Sequence, residues 1–205
     1  MSRPDMSIDP RLLESAKQEF LQTGFLDASL KSICEHAGVT TGALYKRYKG
    51  KEELFCAVVA ETVEKLEEIA NSKTEVDVSA LTDEALIAAW DMDEAYMMWW
   101  FDNLLEIKDG FVLLLKCAEG TCYSNFQHDW VEKMTEGSWN YYLEAYKRNL
   151  ATKKVSRNEM HMILTGFWTT IYEPFIHAFD WNRLSEYNRM LCRLFDWHAM
   201  LGHER

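Results

Sequence analysis

Proline is nearly missing from this chain of 205 residues: only Pro4, Pro10 and Pro174 occur, so the commonest helix breaker is absent over a long interval. β-Branched residues are also scarce, with Val and Ile numbering 17 against 49 for Leu, Ala and Met, a balance that disfavours strands. The five cysteines, at 34, 56, 117, 122 and 192, are odd in number and contain no Cys-x-x-Cys pair, which argues against a disulfide framework and a zinc ribbon. Uncharged apolar runs such as 95–101 fall far below the ~18 residues of a membrane span, and the opening MSRPDMSIDP lacks the apolar core of a signal peptide. No Gly-x-Ser-x-Gly, phosphate-loop, dinucleotide-loop, His-Glu-x-x-His or Glu-x-x-His motif occurs. These absences predict an all-α, cytoplasmic protein with no membrane association, no catalytic residues, no resident metal and no cofactor.

What is present is unevenly spread. The formal charge is −11, yet residues 1–66 hold 9 bases and 10 acids, leaving 13 bases and 23 acids for the remainder. Between Ala37 and Lys51 stand Lys46, Arg47, Lys49 and Lys51 without an acid, one basic island in an acidic chain. Such a run is ordinarily a solvated face, so its surroundings decide its meaning.

Those surroundings read as closely spaced helices. Asp9 and Pro10 open the first, with Ile8 placed to staple onto Leu13; Leu12, Ala16 and Phe20 recur on one face, and Gly24 ends it so that Phe25 can fold back on Phe20. Ser29 caps a second helix, with Leu30, Ile33, Cys34 and Ala37 at helical spacing and Gly38 as its stop. Thr40 caps a third, in which Leu44 and Tyr48 face inward and Thr41, Gly42, Tyr45, Lys46 and Lys49 outward; Gly50 restarts the chain into a longer helix from Lys51. Two short helices joined by a tight glycine turn, the second presenting Tyr, Lys and Arg, have the pattern of a helix-turn-helix, and a basic face suits DNA phosphates while Gly42 permits close approach to base edges.

The string from Gly24-Phe25 through Ser29 to Phe55, including Val39-Thr40-Thr41-Gly42-Ala43-Leu44-Tyr45-Lys46-Arg47-Tyr48, resembles the DNA-binding domain of TetR (tetracycline repressor) type regulators over about residues 6–66. The resemblance implies a third helix in the major groove through Thr41, Gly42, Ala43, Tyr45 and Arg47, with Lys46 beside them. It also implies that Lys31 and Lys51 reach the DNA backbone, with Ser29 and Thr40 capping near phosphates. Ala43 stands where such domains often carry Thr, and Gly50 where a polar cap is common. Family architecture further implies that residues 67–205 form a helical effector-binding and dimerisation domain, and that the partners are a double-stranded, palindromic DNA operator, a small-molecule effector and a second copy of the chain.

In that second part, helices are expected at 83–90, 92–108, 110–119, 122–150, 156–177 and 183–201, with Gly110 and Gly120 as breaks, a Ser156/Glu159 capping box and a kink at Pro174. Aromatic and sulfur side chains crowd 90–101 and recur further on. Most must be core, but Met97 to Phe101 cannot all face one way on a helix, so some meet a cavity or a partner. Tyr96, Trp99, Trp100, Trp130, Trp168 and Tyr172 are the candidates for an apolar or aromatic effector. An alternative is a metal- or redox-sensing regulator using Cys117, Cys122 and His128, or Glu173 with His177. For dimerisation, Phe167, Ile171 and Phe175 with Tyr187, Leu191, Leu194, Phe195 and His198 form two stripes suited to a four-helix bundle; the other reading is that they complete the chain's own core.

Overall fold

The computed structural model describes residues 8–203, the side chain of Ile8 excepted, so the staple from Ile8 to Leu13 lies outside the described residues. Eleven α-helices are seen in that range, besides a 3-10 turn at Val78–Ala80: α1 Ile8–Asp27, α2 Leu30–Ala37, α3 Thr41–Tyr45, α4 Lys51–Thr74, α5 Asp83–Ala88, α6 Glu94–Glu106, α7 Lys108–Lys116, α8 Phe126–Lys147, α9 Arg157–Ile176, α10 Trp181–Leu194 and α11 Trp197–Leu201. Among the described residues no strand forms, and no helix is long and apolar enough to cross a membrane. The all-α expectation holds. The chain divides into two compact units: one is the chain through Leu66 with Ile107–Phe126, the other Glu67–Glu106 with the chain from Gln127 onward.

The first unit is built on the face read from the sequence. Leu12, Ala16 and Phe20 are fully buried. Gly24 breaks α1 at φ 76°, a backbone angle that costs a residue with a Cβ strain, and the break lets Phe25 turn back to within 6.1 Å of Phe20, ring centre to ring centre. Phe55 of α4 meets both rings edge-on, at 5.1 and 5.6 Å. Each such ring contributes about 1.5–3 kcal/mol by leaving water. Helix α7 completes this core with Phe111, Leu113 and Leu114. The expected break at Gly110 is not there: Gly110 lies inside α7, buried, where an added Cβ would stand 1.9 Å from Thr62 Oγ1 of α4. Its small size serves close approach rather than a turn. Gly120, at φ 86°, does mark a break.

In the second unit, Trp168 of α9 is a hub, met edge-on by Trp100 at 5.1 Å and Trp130 at 5.4 Å and stacked by Tyr172 at 6.0 Å. The run from Met97 to Phe101 divides as helical geometry requires, with Met97, Trp100 and Phe101 buried and Trp99 exposed. Ser156 and Glu159 form the expected capping box. Pro174 sits inside α9 and cannot donate to the carbonyl of Thr170 four residues back. The hydroxyl of Tyr187 on α10 takes that role, at 3.0 Å.

Two expectations are corrected here. The final helix is two: Phe195 adopts extended angles, and Asp196 caps α11 by accepting from the Ala199 amide at 3.0 Å. Phe167, Ile171, Phe175 and Leu191 are buried within the chain itself. Helical spacing identified them as one apolar face without saying whose core the face enters, and they complete the subunit's own.

Candidate DNA-binding surface and small-molecule cavity

Helix α2 begins at Ser29, whose hydroxyl accepts from the Ser32 amide at 3.3 Å, and ends at Gly38 in the left-handed region. Thr40 caps α3 in the same way, accepting from the Ala43 amide at 3.2 Å. Leu44 is buried and fixes the roll of α3, which leaves Thr41, Gly42, Tyr45 and Lys46 exposed and Ala43 half-buried. Tyr45 is 58% exposed, a large ring left in water with no packing reason. Lys31 is also open to solvent, 3.8 Å from Glu35 on the same helix.

Two of the predicted contacts point elsewhere. Arg47 turns back to Asp9 of α1, 2.5 Å away, and donates from Nη1 to the carbonyl of Ala43 at 3.2 Å. Lys51 donates from Nζ to the carbonyls of Leu26 and Ala28, at 2.8 and 3.0 Å, with its ammonium over the Phe25 ring. The last turn of α1 contains no basic residue of its own, and Lys51 supplies the missing donor to the chain end there. That shortage is the sequence signal that could have placed Lys51 inside. Both cations hold the helix-turn-helix together in this structure, and the outward set is Ser29, Lys31, Thr40, Thr41, Gly42, Tyr45 and Lys46.

The second unit encloses a cavity of about 340 Å³. Tyr96, Trp100 and Trp168, of the expected effector residues, line it. The other three stand behind: Trp99 stacks on Tyr96 at 6.1 Å, while Trp130 and Tyr172 back Trp168. The sequence reading missed the end of α4, where Lys73 and Thr74 reach the wall, and the α8 segment carrying Met134, Gly137, Ser138 and Tyr141. Gly137 is a recognisable signal in retrospect, since a Cβ there would stand 2.6 Å from Thr74 Cγ2, so only glycine lets α8 approach that closely. Arg148 braces the outer wall, pairing with Glu144 and Asp83 and donating to the carbonyls of Ser79 and Leu81.

The sensing alternative finds dispersed ligands. Among the described residues no group of three or more His, Cys, Asp or Glu could hold a metal ion. Cys117 is buried, while exposed Cys122 has its Sγ 3.8 Å from Cys56 Sγ, and burial together with that thiol pushes Cys56 up to about 11. Glu173 and His177 lie 3.2 Å apart as an exposed pair one helical turn apart.

Comparison with known proteins agrees with this geometry. The family described as bacterial regulatory proteins, tetR family, matches residues 12–58. The transcriptional regulator UidR of Escherichia coli K12 is 34% identical over 55 residues, 27% of this chain and 28% of that protein. The regulator SrpR of Pseudomonas putida is 40% identical over 57 residues, 28% of this chain and 27% of that protein. These matches therefore span little more than a quarter of each curated relative. Likeness over the whole chain comes from structure. A TetR-family regulator from Bordetella parapertussis superimposes with a TM-score of 0.63 at 13% identity, covering 96% of this chain and 98% of that one. NalD of Pseudomonas aeruginosa, described as the secondary repressor of the MexAB-OprM multidrug efflux pump, gives 0.61 at 17%, covering 93% and 97%. At those identities the likeness establishes the fold alone, and what the N-terminal match shows is that residues 12–58 resemble the DNA-binding segment of bacterial regulatory proteins of the tetR family.

Proposed function

We propose that the protein is a cytoplasmic, homodimeric transcriptional repressor that binds a palindromic operator through α3 and is released when a small apolar or aromatic molecule fills the cavity of the second unit. The exposed face of α3 carries the reading: in a chain of charge −11, Tyr45 and Lys46 stand in solvent on a helix whose opposite side is fixed by Leu44. Base edges are read by such side chains and phosphates by the flanking cations. The cavity supports the effector half, being lined mainly by Trp100, Phe167, Trp168 and other apolar groups. Helix α4 begins at Lys51, which braces the helix-turn-helix, and ends with Lys73 and Thr74 on the cavity wall, so a ligand that contacts its last turn acts on the helix through which the chain itself leads from one unit to the other. A coupling of about 1–3 kcal/mol would change operator affinity roughly 5- to 150-fold.

Dimerisation falls to the apolar side chains left outside: Met162 on α9, one turn before Gly166, where an added Cβ would meet no side chain within 4 Å, and Met190 and Leu194 on α10, each 68% exposed. Pairing these with their symmetry mates gives a two-fold interface and hence a two-fold operator. The test of the reading is a screen of aromatic and lipophilic compounds by tryptophan fluorescence, followed by titration of an operator selected from random-sequence duplexes. Compounds that quench should weaken operator binding. Quenching that leaves operator affinity unchanged would contradict the proposed release.

A further inference from the structure

The cavity contains a charge that its apolar walls do not explain. Of its lining side chains, Lys73 and Asp91 are the charged ones. Asp91 already has a donor: its Oδ1 lies 2.7 Å from His198 Nε2. Lys73 has no such answer. Among the described residues no carboxylate pairs with it, and its ammonium rests instead over the rings of Tyr96 and Trp99, 5.1 and 5.4 Å from their centres. Those flat faces hold the cation at the cavity rather than letting it swing into water, while leaving its hydrogen-bonding capacity unfilled.

We propose that the effector is an amphipathic organic anion, a carboxylate on an apolar body, with the carboxylate on Lys73 and the body against Trp100, Phe167 and Trp168. This rests on the reading of the cavity as the effector site. A neutral ligand seated over Lys73 strips water from the ammonium and returns nothing, and a cationic one adds repulsion while finding Asp91 engaged with His198. A carboxylate converts the same desolvation into a charge-assisted hydrogen bond. Ser138 and Tyr141 add hydroxyls to the wall, and burial pushes the Tyr141 phenol up, so it stays a donor at neutral pH. The position of Lys73 in the last turn of α4 also suits the helix dipole, which accounts for a cation on that turn but not for its seat on two rings at a cavity.

The test compares three probes of equal chain length and different head, decanoate, 1-decanol and decyltrimethylammonium, by tryptophan fluorescence of the full chain at pH 7.5. Decanoate should bind about tenfold or more tighter than decanol, with the quaternary amine weakest. Lys73→Gln should bring decanoate down to or below the level of decanol without weakening decanol, and Lys73→Arg should keep the preference. Equal binding of all three, tightest binding of the amine, or an acid preference that survives Lys73→Gln would overturn the anion assignment while leaving the cavity as an effector site. Failure of all three to bind would remove the cavity reading and this inference with it.

Discussion

A cation's sequence position says little about what it neutralises. Lys46 and Arg47 are neighbours, yet one stands in water and the other closes onto Asp9, because Lys46 caps the end of α3 while Arg47 lies in the turn that follows it. Two different losses should follow. Tyr45→Ala and Lys46→Ala should leave the unfolding midpoint unchanged and weaken operator binding, Lys46→Ala also reducing the salt slope by about 0.9. Lys51→Ala should instead destabilise the fold by about 1–3 kcal/mol, since it leaves carbonyls of the α1 end without their charged donor, and urea denaturation measures the difference. A stability loss for Tyr45→Ala equal to that of Lys51→Ala would reverse these assignments. Protonation gives a second prediction at this scale. His203 is buried, its Nε2 has no partner among the described residues, and burial with the neighbouring His198 holds its pKa below the usual imidazole value. Acidification below about 6.5 protonates the unfolded imidazole before the folded one, so stability present at pH 7.5 is lost as pH falls from the ordinary value toward the depressed one. His203→Gln should flatten the fall in unfolding midpoint between pH 7.5 and 5.5; an unchanged slope would contradict it.

At the scale of elements, glycine carries the sharpest test. Gly110→Ala puts a methyl into Thr62, and overpacking of this kind costs about 1–3 kcal/mol. Thr62→Ala should recover most of that loss in the double variant, a non-additivity that thermal melts of the cycle would reveal. Additive losses would mean that the two residues do not meet. Gly110 also shows where sequence reading stops. The caps Ser29, Thr40 and Ser156 and the stops Gly24, Gly38 and Gly120 were legible because each acts on its own backbone within a few residues. Gly110 and Gly137 answer to side chains on another helix, Thr62 and Thr74, and no local pattern distinguishes such a glycine from a break. For the same reason the face formed by Phe167, Ile171 and Phe175 was legible as apolar but not as the chain's own core. In the cavity, aromatic crowding pointed to Tyr96, Trp100 and Trp168. The contribution of α4 was invisible, because Lys73 lies about 20 residues from the nearest aromatic cluster's centre by chain and beside it only once the helices pack.

For the whole molecule, an acidic chain can bind DNA only where its charge is locally reversed, and two copies are needed to present α3 twice to a palindrome. Leu194→Glu, on an exposed position of α10, should leave the helical content intact and convert the proposed dimer to monomer in sedimentation at micromolar concentration. An unchanged mass would place the interface elsewhere. Recognition of a specific operator by the outward face of α3 is read directly by a fluorescence-anisotropy titration of a selected operator duplex at fixed salt. It is run with the wild type, with Tyr45→Ala and with an excess of unrelated duplex. The wild type should bind saturably and resist displacement by unrelated duplex, and Tyr45→Ala should bind about tenfold or more weakly at unchanged stability. Equal binding by the two proteins, or displacement by any duplex alike, would contradict that recognition.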